Sequence, residues 1–105
     1  MENLSFQHRA RERAGGTRQT AIIGVVASGN LEVLVERSLP VDACTIDIAT
    51  AARGFGAVWE AVVADFVTRR AAGGLRISVN DGGARPDTVA LRLAQGIRLI
   101  EEPEA

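Results

Sequence analysis

The residues of this chain that could do chemistry are few, and most lack the partners their chemistry needs. Ser28 stands alone as a hydroxyl within the apolar run Gly24-Val-Val-Ala-Ser-Gly-Asn-Leu-Glu-Val-Leu34. A serine becomes a nucleophile only beside a base. The single histidine, His8, lies in a charged N-terminal stretch remote from any element that would orient it. A serine, histidine and aspartate triad requires three held groups, so hydrolase chemistry is excluded and no catalytic residue is assigned. One histidine and one cysteine on separate elements give no metal-ligand spacing, so no metal site is expected. Asp47 and Asp81 invite pairing as acid and base, but a solvated sheet face explains the first and a turn-forming side chain the second. The stretch Arg53-Gly-Phe-Gly-Ala-Val-Trp59 follows a strand and opens a helix, as a dinucleotide fingerprint does. The third glycine is missing, Trp59 stands in its place, and the chain is too short for a doubly wound domain. That leaves Ser28, which pattern alone reads as a small polar residue beside a turn, although a modifying enzyme that brings its own base could use its hydroxyl as an attachment point.

Something must hold that serine. The chain has 105 residues, enough for one domain, with 47% hydrophobic and 24% charged residues. That balance is the one of a folding globular protein. The formal net charge is −1, and all 12 basic residues are arginine. No global field exists to hold a nucleic acid or an anionic membrane surface, and the N-terminal arginines read as solvated linker charge. Cys44 is the only cysteine, which points to a reducing, cytoplasmic setting. No apolar stretch approaches the roughly 18 residues of a membrane span. The N-terminus lacks the apolar centre of a secretory signal.

Periodicity supplies the elements. Residues 3–7 read as a short edge strand with Leu4 and Phe6 on one side, and residues 8–20 as a mobile connection. Residues 21–28 and 31–37 read as two antiparallel strands of a hairpin at 21–37. Gly29 and Asn30 form its primed two-residue turn, and Ser28 then faces Leu31. Cys44, Ile46 and Ile48 share the buried side of a further strand. Over residues 56–72, Trp59, Val62, Val63, Phe66 and Val67 recur at helical spacing, and Gly73-Gly74 stops the helix. Leu75, Ile77 and Val79 alternate in another strand. Pro86 opens a last helix to about Ile100, with Val89, Leu93, Ile97 and Ile100 on one face. Residues 101–105 read as a frayed tail. The expected fold is α+β: a two-layer sandwich with a mostly antiparallel sheet of four to five strands and two helices, in one domain over 1–105.

The segment around Ser28 is similar to the Gly-Val-Val-Gly-Ser-Gly-Asp-Leu-Glu-Val segment of malonate decarboxylase acyl carrier subunits, also called delta subunits. The resemblance begins at the Met-Glu-x-Leu-Ser-Phe start and runs from Thr50 to Trp59. It ends in Asn80-Asp-Gly-Gly-Ala-Arg-Pro-Asp-Thr-Val-Ala-Leu-Arg-Leu-Ala-Gln-Gly-Ile97, which resembles a His-Asp-Phe-Gly-Ala-Thr-Pro segment and the Leu-Arg-Leu-x-Gln-Gly helix that follows it. Departures are Ala27, Asn30, Asn80, Gly82 and Arg85; Asn30 keeps the turn chemistry while removing a negative charge.

The resemblance implies a non-catalytic carrier subunit, with Ser28 joined through a phosphodiester to 2'-(5''-phosphoribosyl)-3'-dephospho-CoA. Gly29 and Asn30 support the site. The thiol of that group would carry acetyl and then malonyl thioesters while malonate is converted to acetate and carbon dioxide. The implied partners are an acyltransferase (alpha) subunit, a decarboxylase (beta, gamma) pair, a prosthetic-group transferase and a malonyl transferase. The citrate lyase acyl carrier subunit is a second carrier reading, and a small adaptor binding through its sheet face or edge is a third. A helical carrier is excluded, because Arg37-Ser38-Leu39 follows a strand and precedes Pro40.

Overall fold

A computed structural model describes residues 2–25, 28–84 and 86–102, with side chains for all of these except residues 25–30 and 86. The strands are β1 (Glu2–Arg9), β2 (Thr20–Val25), β3 (Ser28–Arg37), β4 (Ala43–Thr50) and β5 (Leu75–Asp81), and the helices are α1 (Gly56–Arg69) and α2 (Pro86–Glu101). One five-stranded sheet has the order β1-β4-β5-β3-β2. The β4–β5 pair is parallel and is bridged by α1, whereas the other three pairs are antiparallel. The expected α+β sandwich is therefore present, with a mixed sheet.

Period-two patterning decides which face is covered. Ile46, Ile48, Ile77, Val79, Leu31, Val33 and Val35 turn inward and are nearly solvent-free. Trp59, Val63, Phe66 and Val67 of α1 meet them, as do Val89, Leu93, Ile97 and Ile100 of α2. Leu34, the exception in the β3 alternation, lies opposite Ile22 on the open face, where Ile22 is 64% exposed. Gly96 lets α2 settle closely on the sheet, since a Cβ there would stand 3.1 Å from Val35 Cγ2. α1 ends at Arg69 rather than 72. Arg70 is extended, and the chain leaves the helix so that Ala72 can enter the core, where it is fully buried.

The stretch read as a mobile connection is fastened. His8 and Arg9 belong to β1 and Thr20 to β2. Between them, the Ala10 amide donates to Asp42 O at 2.8 Å, the Ala14 amide to Gly73 O at 2.9 Å, and the Gly73 amide to Glu12 O at 2.8 Å. The Arg37 guanidinium adds bonds to the carbonyls of Ala14 and Gly15 at 2.7 Å, Arg18 at 3.0 Å and, at the end of α2, Ile100 at 3.2 Å. Burial lowers the pKa of Arg37, with the Arg13 charge adding to the effect and Glu101 opposing it. Backbone bonds and one distant arginine leave no periodic signal in a sequence, which is why this order was not legible. Replacing Arg37 with methionine keeps the apolar stem but removes its bonds to all four carbonyls, of which Ala14 O retains a donor in Arg13 Nη1 at 3.0 Å. The expected cost is about 2 kcal/mol by urea unfolding, with faster tryptic cleavage at Arg11, Arg13 and Arg18. Of the tail, Glu101 closes α2 and Glu102 follows it, while residues 103–105 lie outside the described residues.

Cys44 is a buried core residue, 1% exposed. Burial pushes its thiol up from 9.0 to about 11. The unfolded chain releases this proton near 9 while the folded chain keeps it to about 11, so stability falls as pH rises between those values. The fall is expected to total roughly 2–3 kcal/mol. It should vanish in Cys44→Ala, measured as urea midpoints from pH 8 to 11. Native Cys44 should also resist alkylation at pH 8.

Candidate functional site

One end of the sheet gathers the features that matter. Glu2, Thr50, Asp81 and Leu31 lie side by side across β1, β4, β5 and β3. The connections into both helices leave from this end, and the β2–β3 hairpin extends past it. Asp81 is 5% exposed and fixes the two connections together. Its Oδ2 accepts from Thr50 Oγ1 at 2.7 Å, and its Oδ1 accepts from the amides of Gly83 at 3.1 Å and Ala84 at 2.7 Å. The Ala51 amide donates to the Asp81 carbonyl at 2.9 Å, and the Ala52 amide to Thr50 Oγ1 at 3.1 Å. Asp81 is thus a turn-forming residue, as its position after a strand predicts, and its carboxylate is committed to internal bonds. Beside it an apolar cleft of about 290 Å³ is lined by Phe55, Val58, Trp59, Val62, Ala84 and Val89, among others.

The hairpin departs from the expected register. Ile23 pairs with Val33 as simple alternation requires, but Val25 pairs with Ser28, and the ladder is irregular between Ile23 and Val25. Gly29 to Glu32 of β3 therefore face Gly24 alone. Gly29 and Asn30 lie inside β3 and do not form the predicted two-residue turn. Residues 26 and 27, the end of the first predicted strand, lie outside the described residues, as does Arg85. Ser28 opens β3 opposite Val25, not Leu31. The physical cause is Gly24, whose φ is +74°. That left-handed backbone is open to glycine and strained for other residues, and it kinks β2 so that β3 can bulge against it. A lone glycine within an apolar strand pattern is the sequence signal of such a bulge.

Gly24 also admits a neighbour. A Cβ on it would stand 2.6 Å from Leu31 O and 3.0 Å from Arg92 Cζ, and would collide with Arg92 Nη1. Arg92, half-buried on α2, thus lays its guanidinium against the hairpin backbone. Neither Gly24 nor Arg92 was singled out from the sequence.

The other candidates are not brought to this end. His8 pairs with Cys44 in the β1–β4 ladder, six residues from Thr50 along β4. Asp47 lies on the open face, where it accepts from Ser5 Oγ at 2.6 Å and from Arg76 Nη2 at 3.1 Å. Asp47 and Asp81 point to opposite faces and form no acid and base pair. Arg53 to Phe55 are an exposed connection into α1. Among the described residues, no group of three or more His, Cys, Asp or Glu side chains could hold a metal ion.

Comparison with known proteins agrees with this architecture. The chain is 67% identical over 102 residues to a malonate decarboxylase acyl carrier protein of Bradyrhizobium diazoefficiens, covering 97% of both chains. It is 49% identical over 105 residues to the protein of the same name from Xanthomonas axonopodis pv. citri, covering all of both. Its fold matches a chain in the crystal structure of a Pseudomonas malonate decarboxylase hetero-tetramer in complex with malonate. The TM-score is 0.83 at 35% identity, over 95% of this chain and 99% of the other. The family model of the malonate decarboxylase delta subunit (MdcD) matches residues 18–100, from the approach to the hairpin to the end of α2. With relatives alike along their whole length and a shared fold, this chain belongs to the malonate decarboxylase delta subunit family, the acyl carrier proteins.

Proposed function

We propose that this chain carries acetyl and malonyl thioesters for a malonate decarboxylase, on 2'-(5''-phosphoribosyl)-3'-dephospho-CoA attached to Ser28. The observation that carries the reading is the placement of Ser28 at the start of β3, where a braced hairpin leaves the sheet. The surroundings suit an anionic attachment. The buried carboxylate nearest along the sheet end, Asp81, is tied up internally, and a guanidinium rests against the hairpin at Gly24. When bound, the group supplies a thiol at the end of a long arm, with effective concentration at each partner site set by the arm's reach.

This chain's share of the chemistry is attachment and presentation. His8 sits away from the hairpin end, so the base that takes the Ser28 proton comes from the prosthetic-group transferase. Ser28 Oγ forms the bond to phosphorus as its proton passes to that base, and diphosphate leaves from an activated polyphosphate form of the group. The loaded chain then serves the acyltransferase (alpha) subunit and the decarboxylase (beta, gamma) pair, with a malonyl transferase renewing the supply. The bracing of the hairpin base by β5 and α2 gives the arm a fixed origin from which to visit them. Among the described residues no helix is long and apolar enough to cross a membrane.

Co-expression of the chain with the transferase and the other subunits tests the reading. The expected product has gained the mass of the group and one alkylatable thiol, and exchanges acetyl for malonyl groups with malonate but not citrate. Exchange with citrate would assign it to citrate lyase instead. A chain that never gains thiol-bearing mass would be an adaptor.

A further inference from the structure

We infer that the outer edge of β1 pairs with the β1 of a second copy of this chain, antiparallel and about a two-fold axis at Ser5, so that two sheets join into one. β1 is the edge strand farthest from the hairpin in the order β1-β4-β5-β3-β2. It runs eight residues, Glu2–Arg9, in unbroken register with β4. An edge strand leaves a row of backbone donors and acceptors open, and is ordinarily blunted by shortness, lysine, proline or a bulge. β2, at the other edge, has such a device: it is six residues long, holds Gly24 at a φ of +74°, and its ladder is irregular there. β1 has none. Its sequence contains no lysine, proline or glycine, and among the described residues no segment pairs with its outer side.

A two-fold axis normal to the sheet keeps residues that face each other on the same side of it, at equal distances from the axis. With Ser5 facing Ser5, the pairs are Leu4 with Phe6, Asn3 with Gln7 and Glu2 with His8, each made twice. Leu4 and Phe6 pack against the margin of the core and are only partly buried, so each covers what the other leaves open. Asn3 and Gln7 are exposed on the opposite face, and their amides can donate and accept in turn. Glu2 has a carboxylate oxygen closed to water with no hydrogen-bond partner among the described residues. The pairing sets the imidazole of His8 from the second copy across from that side chain. Other registers lose this match: an axis at Leu4 sets Glu2 against Phe6, and one at Phe6 sets His8 against Leu4 and leaves Glu2 unmatched. Side chains therefore select the register that the backbone alone would leave open. β2 and β3 lie at the far edge of each sheet, so the joined sheet keeps both hairpins at its two ends.

A contact between two such strands falls at the small end of specific interfaces, so self-association is expected in about the micromolar to submillimolar range. Sedimentation equilibrium of the full, unmodified chain tests it. The expected result is a monomer passing to a dimer and no further, because the pairing uses up the one unprotected edge. His8→Glu sets like charges in both outer pairs and is expected to weaken the dimer by about tenfold. The double variant Glu2→Arg, His8→Glu exchanges the two partners' charges and should recover most of that loss, which a merely structural role for either residue would not produce. Circular dichroism shows whether each variant is folded. Should His8→Glu fail to fold, Glu2→Arg decides, and a dimer as tight as that of wild type would overturn the inference. A wild-type chain that stays monomeric to about 1 mM, or that forms assemblies larger than a dimer, would overturn it too. So would a dimer indifferent to His8→Glu, or one that the double variant does not restore. None of these outcomes bears on attachment at Ser28, which is read from mass.

Discussion

Replacing Ser28 with alanine is expected to abolish loading while leaving the fold intact. The Val25–Ser28 pairing is a pairing of backbones. The rest of β3 is held by β5 on one side and β2 on the other. Alanine removes one oxygen and keeps the Cβ. Circular dichroism and the urea midpoint should therefore match wild type within about 0.5 kcal/mol. The chemical effect is all or none, because the phosphodiester needs an oxygen nucleophile and alanine has none. Intact mass after exposure to the transferase should show the unmodified chain only. A complex assembled with the Ser28→Ala chain should bind its subunits yet fail to turn over malonate.

The second large effect belongs to Asp81. Alanine there removes the acceptor for Thr50 Oγ1 and for the Gly83 and Ala84 amides together. The Thr50 hydroxyl is left buried and the Gly83 and Ala84 amides part-buried, and each bond to a charged acceptor is worth about 1.5–3 kcal/mol when made, with larger penalties for buried groups left unpaired. The losses overlap, since the three donors share one carboxylate, so the expected total is about 3–4 kcal/mol. At about 4–8 °C per kcal/mol for a domain near this size, the melting temperature should fall by at least roughly 12 °C. Asp81→Asn should be milder, about 1–2 kcal/mol. The amide oxygen can still accept from Gly83 and Ala84 N–H, and the Thr50 hydroxyl can turn to the Ala52 carbonyl, now 3.4 Å away. Thermal melts of both variants check the ranking. Equal losses for Asn and Ala would mean that the charge, not the acceptor geometry, holds the connections.

What was legible in the sequence was what side-chain period encodes. Alternation in Cys44, Ile46, Ile48 and in Leu75, Ile77, Val79 gave β4 and β5. The helical spacing of Trp59, Val63 and Phe66, and of Val89, Leu93 and Ile97, gave both helices and their buried faces. Period says nothing of bonds between backbones. The 10–19 segment is ordered by amide bonds to Gly73 and Asp42 and by Arg37 from another strand, and its sequence reads as plain polar linker. The hairpin was misplaced for a related reason. Gly29-Asn30 has strong local turn chemistry, but Gly24 bends β2 earlier, and Leu31 must stay beside Asp81 to fill the core. The tertiary requirement overrode the local preference and drew Gly29 and Asn30 into β3. Asn30 therefore departs from the family's aspartate within a strand rather than at a turn.

The central claim, that Ser28 bears the carrier group, is tested most directly by localising the modification on the loaded chain. Trypsin should release Gln19 to Arg37 as one peptide in which Ser28 is the only serine. Tandem mass spectrometry of that peptide is predicted to place a phosphodiester-linked adduct, ending in a thiol, on Ser28. An adduct on a peptide carrying Ser5, Ser38 or Ser78 instead, or an unmodified Gln19 to Arg37 peptide from a chain active in malonate turnover, would contradict it.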